Sequence, residues 1–138
     1  MKRVAFLLSA FCFLLFSCRT VGVSRTTGGY AEVMPQVASE MMLDSQQVVV
    51  LDVRPSSAYR GPEGHIAGSI NAPFDTIERQ LPELLPYQST TVIVYGETST
   101  DGSVAAKLLS VAGFRNVVHM AGGIQSWIEH GYRTVNAQ

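Results

Sequence analysis

After Tyr95 the chain runs Gly96, Glu97, Thr98, Ser99, Thr100, Asp101, Gly102 and Ser103 in succession. Hydroxyls and carboxylates at this density are the residue types that could attack a substrate, hold a cation or line a pocket. A hydroxyl nucleophile needs a neighbouring base to take its proton, and no histidine lies in the segment. Thr98, Ser99 and Thr100 are therefore read as hydrogen-bonding or capping residues of a loop. Glu97 and Asp101 fall well short of the roughly six to eight oxygens that a calcium ion takes. Asp52, Arg54 and His65 form a second polar group, read as a clamp that holds a strand end and the adjacent turn. His119 has no carboxylate or cysteine close to it in sequence, and His130 suits a helix C-terminus. Three scattered histidines do not make a metal site, and no pattern implies a cofactor.

Elements that could position these residues are legible from periodicity. Val48 to Val53 is an apolar, β-branched run broken only by Asp52, the pattern of a strand buried on both faces. Thr91 to Tyr95 and Val117 to Met120 are two more, and Tyr30 to Val33 is a short first strand. Helical patterns lie between them. Pro35 suits the first position of a helix, with Val37, Met41 and Met42 on its core side. Asp75 and Glu78 have capping-box spacing, ahead of Ile77, Leu81 and Leu84, with Pro82 expected to break or kink that helix. Ser103 to Ala112 carries Val104, Ala105, Leu108, Leu109 and Ala112 on one side, closed by Gly113. Ile124 to His130 is a last short helix. Strands alternating with helices imply a mostly parallel sheet covered on both faces, with ligands at the carboxyl ends of the strands.

The first residues have a different character. Lys2 and Arg3 precede an almost wholly apolar run from Val4 to Phe16, too short for a comfortable membrane span but right for a signal-peptide core. It ends in Leu15-Phe16-Ser17-Cys18, which is similar to a bacterial lipobox. That resemblance implies a signal peptide over 1–18, a lipid on Cys18 and a cell-envelope location. The domain would face the periplasm or exterior, on the outer membrane if the source is Gram-negative. Arg19 to Gly29, rich in Thr, Ser and Gly, reads as a flexible tether, and 30–138 as one domain. Both cysteines, Cys12 and Cys18, lie in the leader. A lipidated Cys18 leaves the mature chain without a free thiol. Loss of Lys2 and Arg3 leaves 8 basic against 11 acidic residues, so nothing advertises a nucleic-acid surface.

Two stretches go beyond a generic α/β pattern. Leu51-Asp52-Val53-Arg54-Pro55 is followed by Tyr59 and by Gly64-His65-Ile66-Ala67-Gly68-Ser69-Ile70-Asn71-Ala72-Pro73. Val92 to Tyr95 is followed by the polar loop, Ala105-Ala106, Leu108-Leu109, Gly113-Phe114-Arg115-Asn116-Val117 and Gly122-Gly123-Ile124 with Trp127. In this order and spacing the two resemble the signatures of the rhodanese family, over roughly Tyr30 to Tyr132. The resemblance implies a three-layer α/β fold whose mostly parallel five-stranded sheet has helices on both faces.

It also implies a chemistry. In the family a cysteine follows the tyrosine matched by Tyr95, and the loop wraps its backbone N–H groups around the sulfur. Such a nest lowers a thiol's pKa, and the thiolate relays sulfur as a persulfide. Here Gly96 occupies that position, and the unchanged spacing to Ala105 and Ala106 makes this a substitution rather than a shift. The loop plan also resembles that of the cell-cycle dual-specificity phosphatases, which need a cysteine and a loop arginine, both absent. Glu97 and Asp101 oppose an anionic donor. The expectation is a membrane-tethered, non-catalytic binding or scaffolding module with a protein partner. The alternatives are an enzyme of changed chemistry using Glu97 or Asp101, and half of a sulfur-transfer pair whose cysteine comes from another protein.

Overall fold

A computed structural model describes residues 22–44 and 47–136. Six strands form one sheet: β1 (Ser24–Arg25), β2 (Ala31–Val33), β3 (Val48–Asp52), β4 (Ile70–Asn71), β5 (Thr91–Tyr95) and β6 (Asn116–Met120). Their order is β1-β2-β6-β5-β3-β4. Every pairing is parallel except β1 with β2. Helices α1 (Pro35–Asp44), α2 (Ser56–Tyr59), α3 (Ile77–Leu84), α4 (Ser99–Val111) and α5 (Gly123–Glu129) complete the chain, with a 3-10 turn at Leu85–Tyr87.

Successive side chains of a strand point to opposite faces, and here both faces are covered. Leu51, Val92, Val94 and Val117 pack with Ile77 and Leu84 of α3 and Ala105, Ala106 and Leu109 of α4. Val50, Ile93, Tyr95, Val118 and Met120 pack on the other face with Ala38 of α1 and Ile124 and Trp127 of α5. This is why the three central strands read as continuous apolar runs. Gly113, at φ +94°, closes α4 in the left-handed region as its type requires.

Outside the candidate site, the structure departs from the sequence expectations in three places. The sheet has a sixth strand, β1, inside the segment read as a tether. Ser24 pairs with Glu32 and Arg25 with Ala31, and the turn between is held by the Thr26 hydroxyl donating to the Tyr30 carbonyl at 2.8 Å. Thr26-Thr27-Gly28-Gly29 is thus hairpin chemistry: Gly29 takes φ +82°, where other residues are strained. Second, the Asp75–Glu78 capping box does not form. Thr76 is the N-cap residue of α3, one position later. Third, Pro82 neither breaks nor ends α3, which continues to Leu84 before tightening into the 3-10 turn.

Candidate functional site

The last residues of β3 and β5, Asp52 and Tyr95, stand opposite each other in register at the carboxyl end of the sheet. Arg54 follows Asp52 by two residues and folds back on it. Its Nε lies 3.0 and 3.1 Å from the two carboxylate oxygens, and its Nη2 2.7 Å from Oδ2. Nη2 also donates to the Gly64 carbonyl at 2.7 Å. Both side chains are buried. Burial opposes the guanidinium charge, but hydrogen bonding to Asp52 and its negative charge, with that of Glu97, outweigh it and hold the pKa above its ordinary value. A fork this rigid fixes the turn through Gly64, whose φ of +68° only glycine adopts readily.

Tyr95 ties the same turn from the other side. Its hydroxyl accepts the Ile66 N–H at 3.1 Å and lies 3.3 Å from Ser69 Oγ. Burial, and after it the negative charge of Asp52, push the phenol's pKa up, so it stays protonated. His65 does not join Asp52 and Arg54 directly. It stacks on Tyr59 with ring centroids 3.7 Å apart, its Nδ1 is 3.0 Å from the Tyr59 carbonyl, and its backbone bridges to Val135.

The outward nitrogen of Arg54 has a different environment. Nη1 is buried and without a hydrogen bond among the described residues, 3.5 Å from Glu97 Oε2 and 3.8 Å from Glu63 Oε2. Gln125 Nε2 donates to both carboxylates, at 2.6 Å to Glu97 and 3.0 Å to Glu63. Glu63, Glu97 and Gln125 thus cover the buried cation. Glu63 and Gln125 carry no motif signal, because they reach Arg54 only through the fold.

The loop itself is shorter than expected. Only Gly96, Glu97 and Thr98 separate β5 from α4, because the helix starts at Ser99 rather than Ser103. Thr98 is the extended N-cap residue, with no side-chain cap bond. Ser99 to Ser103 therefore lie in the first turns of α4. Ser99 Oγ accepts the Gly122 N–H at 2.7 Å, and Ser103 Oγ donates to the Thr100 carbonyl at 2.8 Å. Thr98, Thr100 and Asp101 are exposed, whereas Gly96 and Gly102 are buried.

Those two glycines let the strand end and the helix touch. A Cβ on Gly96 would sit 3.0 Å from the Gly102 nitrogen and 3.2 Å from Asp101 Cβ. A Cβ on Gly102 would sit 2.9 Å from His119 Cδ2 and Nε2. His119 is fully buried and has a carboxylate companion far from it in sequence: Glu32 Oε2 lies 3.0 Å from its Nδ1. The pair exists because β2 lies parallel to β6 with Glu32 opposite His119, which spacing along the chain does not reveal. From the other side, α5 binds the loop's carbonyls. The Ile124 N–H donates to Gly96 O at 2.9 Å and the Gln125 N–H to Glu97 O at 3.4 Å. No group of three or more His, Cys, Asp or Glu suited to a metal occurs among the described residues. Cys18 lies outside them.

The model of the rhodanese-like domain matches residues 34–130. The chain belongs to the rhodanese-like family. As a rhodanese-like domain it is 31% identical over 87 residues to the uncharacterized protein YibN of Escherichia coli (strain K12), across 62% of this chain and 59% of that protein. It spans 53 to 59% of the lengths of the curated relatives it matches. The solution structure of the rhodanese-like domain from the Anabaena sp. Alr3790 protein matches with a TM-score of 0.66 at 29% identity, over 79% of this chain and 80% of that one. A thiosulfate sulfurtransferase from Pseudomonas aeruginosa shares the fold, with a TM-score of 0.68 at 24% identity over 78% of this chain and 20% of that one.

Proposed function

We propose that this rhodanese-like domain is a non-catalytic binding module tethered to the bacterial cell envelope through a lipid on Cys18. One observation carries the first half. On the family resemblance Gly96 takes the position of the loop cysteine, and a Cβ there would press on the Gly102 nitrogen at 3.0 Å and on Asp101 Cβ at 3.2 Å. No cysteine lies beyond Cys18, so a persulfide relay has no carrier. Around that tight position the surface presents Glu63, Glu97 and Asp101 over a buried arginine, an acceptor-rich rim that suits donor groups of a protein partner better than an anionic sulfur donor. Glu97 is held by Arg54 and Gln125, which argues against its use as a free catalytic carboxylate.

The test is thiosulfate-to-cyanide sulfur transfer by the purified full-length protein. Turnover at the level of a heat-inactivated control is expected, and turnover clearly above it removes the reading.

A further inference from the structure

The opposite pole of the sheet holds a feature that the site does not use. There β5 and β6 begin, at Thr91 and Asn116, with the β1–β2 hairpin beside them. A cavity of ≈340 Å3 opens among these segments, at the small end of the size range of small-molecule sites. Its lining divides by chemistry. Arg25 of β1 and Arg115 next to β6 contribute to it with Thr91 and Asn116, while Met41 and Val118, which share one core cluster, belong to its apolar part. Neither arginine has an ion pair or side-chain hydrogen bond among the described residues, and no carboxylate lines the cavity. Elsewhere in the domain the pattern is the reverse: Arg54 has three carboxylates near it.

Neither guanidinium meets a counter-charge in the lining, and an anion in the cavity would supply one. The planar fork of arginine matches carboxylate and phosphate oxygens two at a time. The apolar part of the lining gives hydrocarbon a place to leave water. We infer that this cavity binds an amphipathic anion, its phosphate or carboxylate head at Arg25 and Arg115 and a short apolar body against Met41 and Val118. The head could belong to a membrane lipid or to a soluble amphiphile. Ser24 follows Cys18 by six residues, a reach of at most about 20 Å. On the tethered reading proposed above, the cavity therefore lies near the bilayer surface. The site itself does not depend on that reading, nor on the absence of sulfur transfer.

Full-length protein in phosphatidylcholine nanodiscs, titrated calorimetrically with hexyl phosphate against empty discs, tests the inference. Hexyl phosphate should bind, inorganic phosphate and hexanol should each bind at least about tenfold more weakly, and Arg25→Gln or Arg115→Gln should each weaken hexyl phosphate on the order of tenfold. Both arginines are exposed and unpartnered, so unfolding midpoints of the variants should match wild type. Discs containing phosphatidylglycerol distinguish the sources: weaker hexyl phosphate binding there identifies the lipid head, and unchanged binding identifies a soluble amphiphile. Equal affinity of wild type and the double variant overturns the site. Inorganic phosphate binding as tightly as hexyl phosphate, or hexanol doing so, overturns its amphipathic character.

Discussion

Replacing Gly102 with alanine should destabilise the domain, against the usual direction for a glycine inside a helix. Gly102 is the fourth residue of α4, where alanine is ordinarily better by about 1 kcal/mol. The opposing effect comes from His119. A methyl at Gly102 would stand 2.9 Å from two ring atoms and 3.1 Å from the Gly96 nitrogen, whereas ordinary contact begins near 3.4 Å. The ring must retreat by about half an ångström, yet it is fully buried, bonded to Glu32 and set edge-on to Tyr30. Inserting a methyl into so closed a space costs about 1–3 kcal/mol, which exceeds the helix gain over most of its range. The expected net loss is about 1 kcal/mol. With a urea m-value of about 1–3 kcal/mol per molar, the midpoint should fall by about 0.5 M.

Urea unfolding followed by circular dichroism measures this, and a double-mutant cycle with His119→Ala isolates the cause. Without the ring, Gly102→Ala should turn neutral or stabilising, although His119→Ala is itself destabilising. If Gly102→Ala stabilises the wild-type background by about 1 kcal/mol, the close approach does not constrain the protein. An identical effect in both backgrounds refutes the assignment to His119.

Arg54→Ala strands Asp52 as a buried, unpaired carboxylate and should lower stability by about 3–5 kcal/mol, whereas Glu97→Gln, at a half-exposed pair, should change it by less than about 1 kcal/mol; urea midpoints compare the two. Tyr95→Phe leaves the buried Ile66 N–H without its acceptor and should lose about 1–3 kcal/mol. Because the Tyr95 pKa is raised in the folded state above its ordinary value of 10.0, its contribution is fully present below pH 10 and is lost as pH rises further. Wild-type stability should therefore fall above pH 10, Tyr95 accounting for about 1.4 kcal/mol per pH unit, and Tyr95→Phe should flatten that slope. Cys18→Ala should move the protein from the membrane fraction to the soluble one; retention of the variant on membranes removes the lipid anchor.

The sequence showed the fold well wherever burial on two faces left a continuous apolar run, as in Val48 to Val53 and Thr91 to Tyr95. It showed Arg54 and Asp52 as a pair because they belong to one strand end. Residues brought together by topology were invisible: Glu32 reaches His119 across a parallel register, Glu63 reaches Arg54 from a turn, and Gln125 of α5 bonds both carboxylates that cover it. The start of α4 was misjudged for a related reason. Gly102 argues against a helix on propensity, but packing against Gly96 and His119 outweighs propensity. The hairpin at Ser24 was missed because Thr and Gly serve linkers and turns alike, and only the pairing with Glu32 and Ala31 decides between them.

Three features of the carboxyl pole are physically linked, and the link bears on what the domain can do. A side chain at Gly96 needs the first turn of α4 to stand off from β5. That turn is instead drawn in at Gly102, and the space on its inner side is filled by His119. Meanwhile α5 occupies the carbonyls of Gly96 and Glu97, so the loop cannot open without breaking those bonds. A reactive thiol needs space, N–H groups free to face it and a positive surrounding. Here the space is tight, the cation is covered by two carboxylates, and the rim is acidic. On the proposed reading, a cysteine added at Gly96 would lack the environment that makes a thiol a nucleophile. The loop's bonds to α5 favour a surface that holds its shape, which on the reading proposed above serves a binding module.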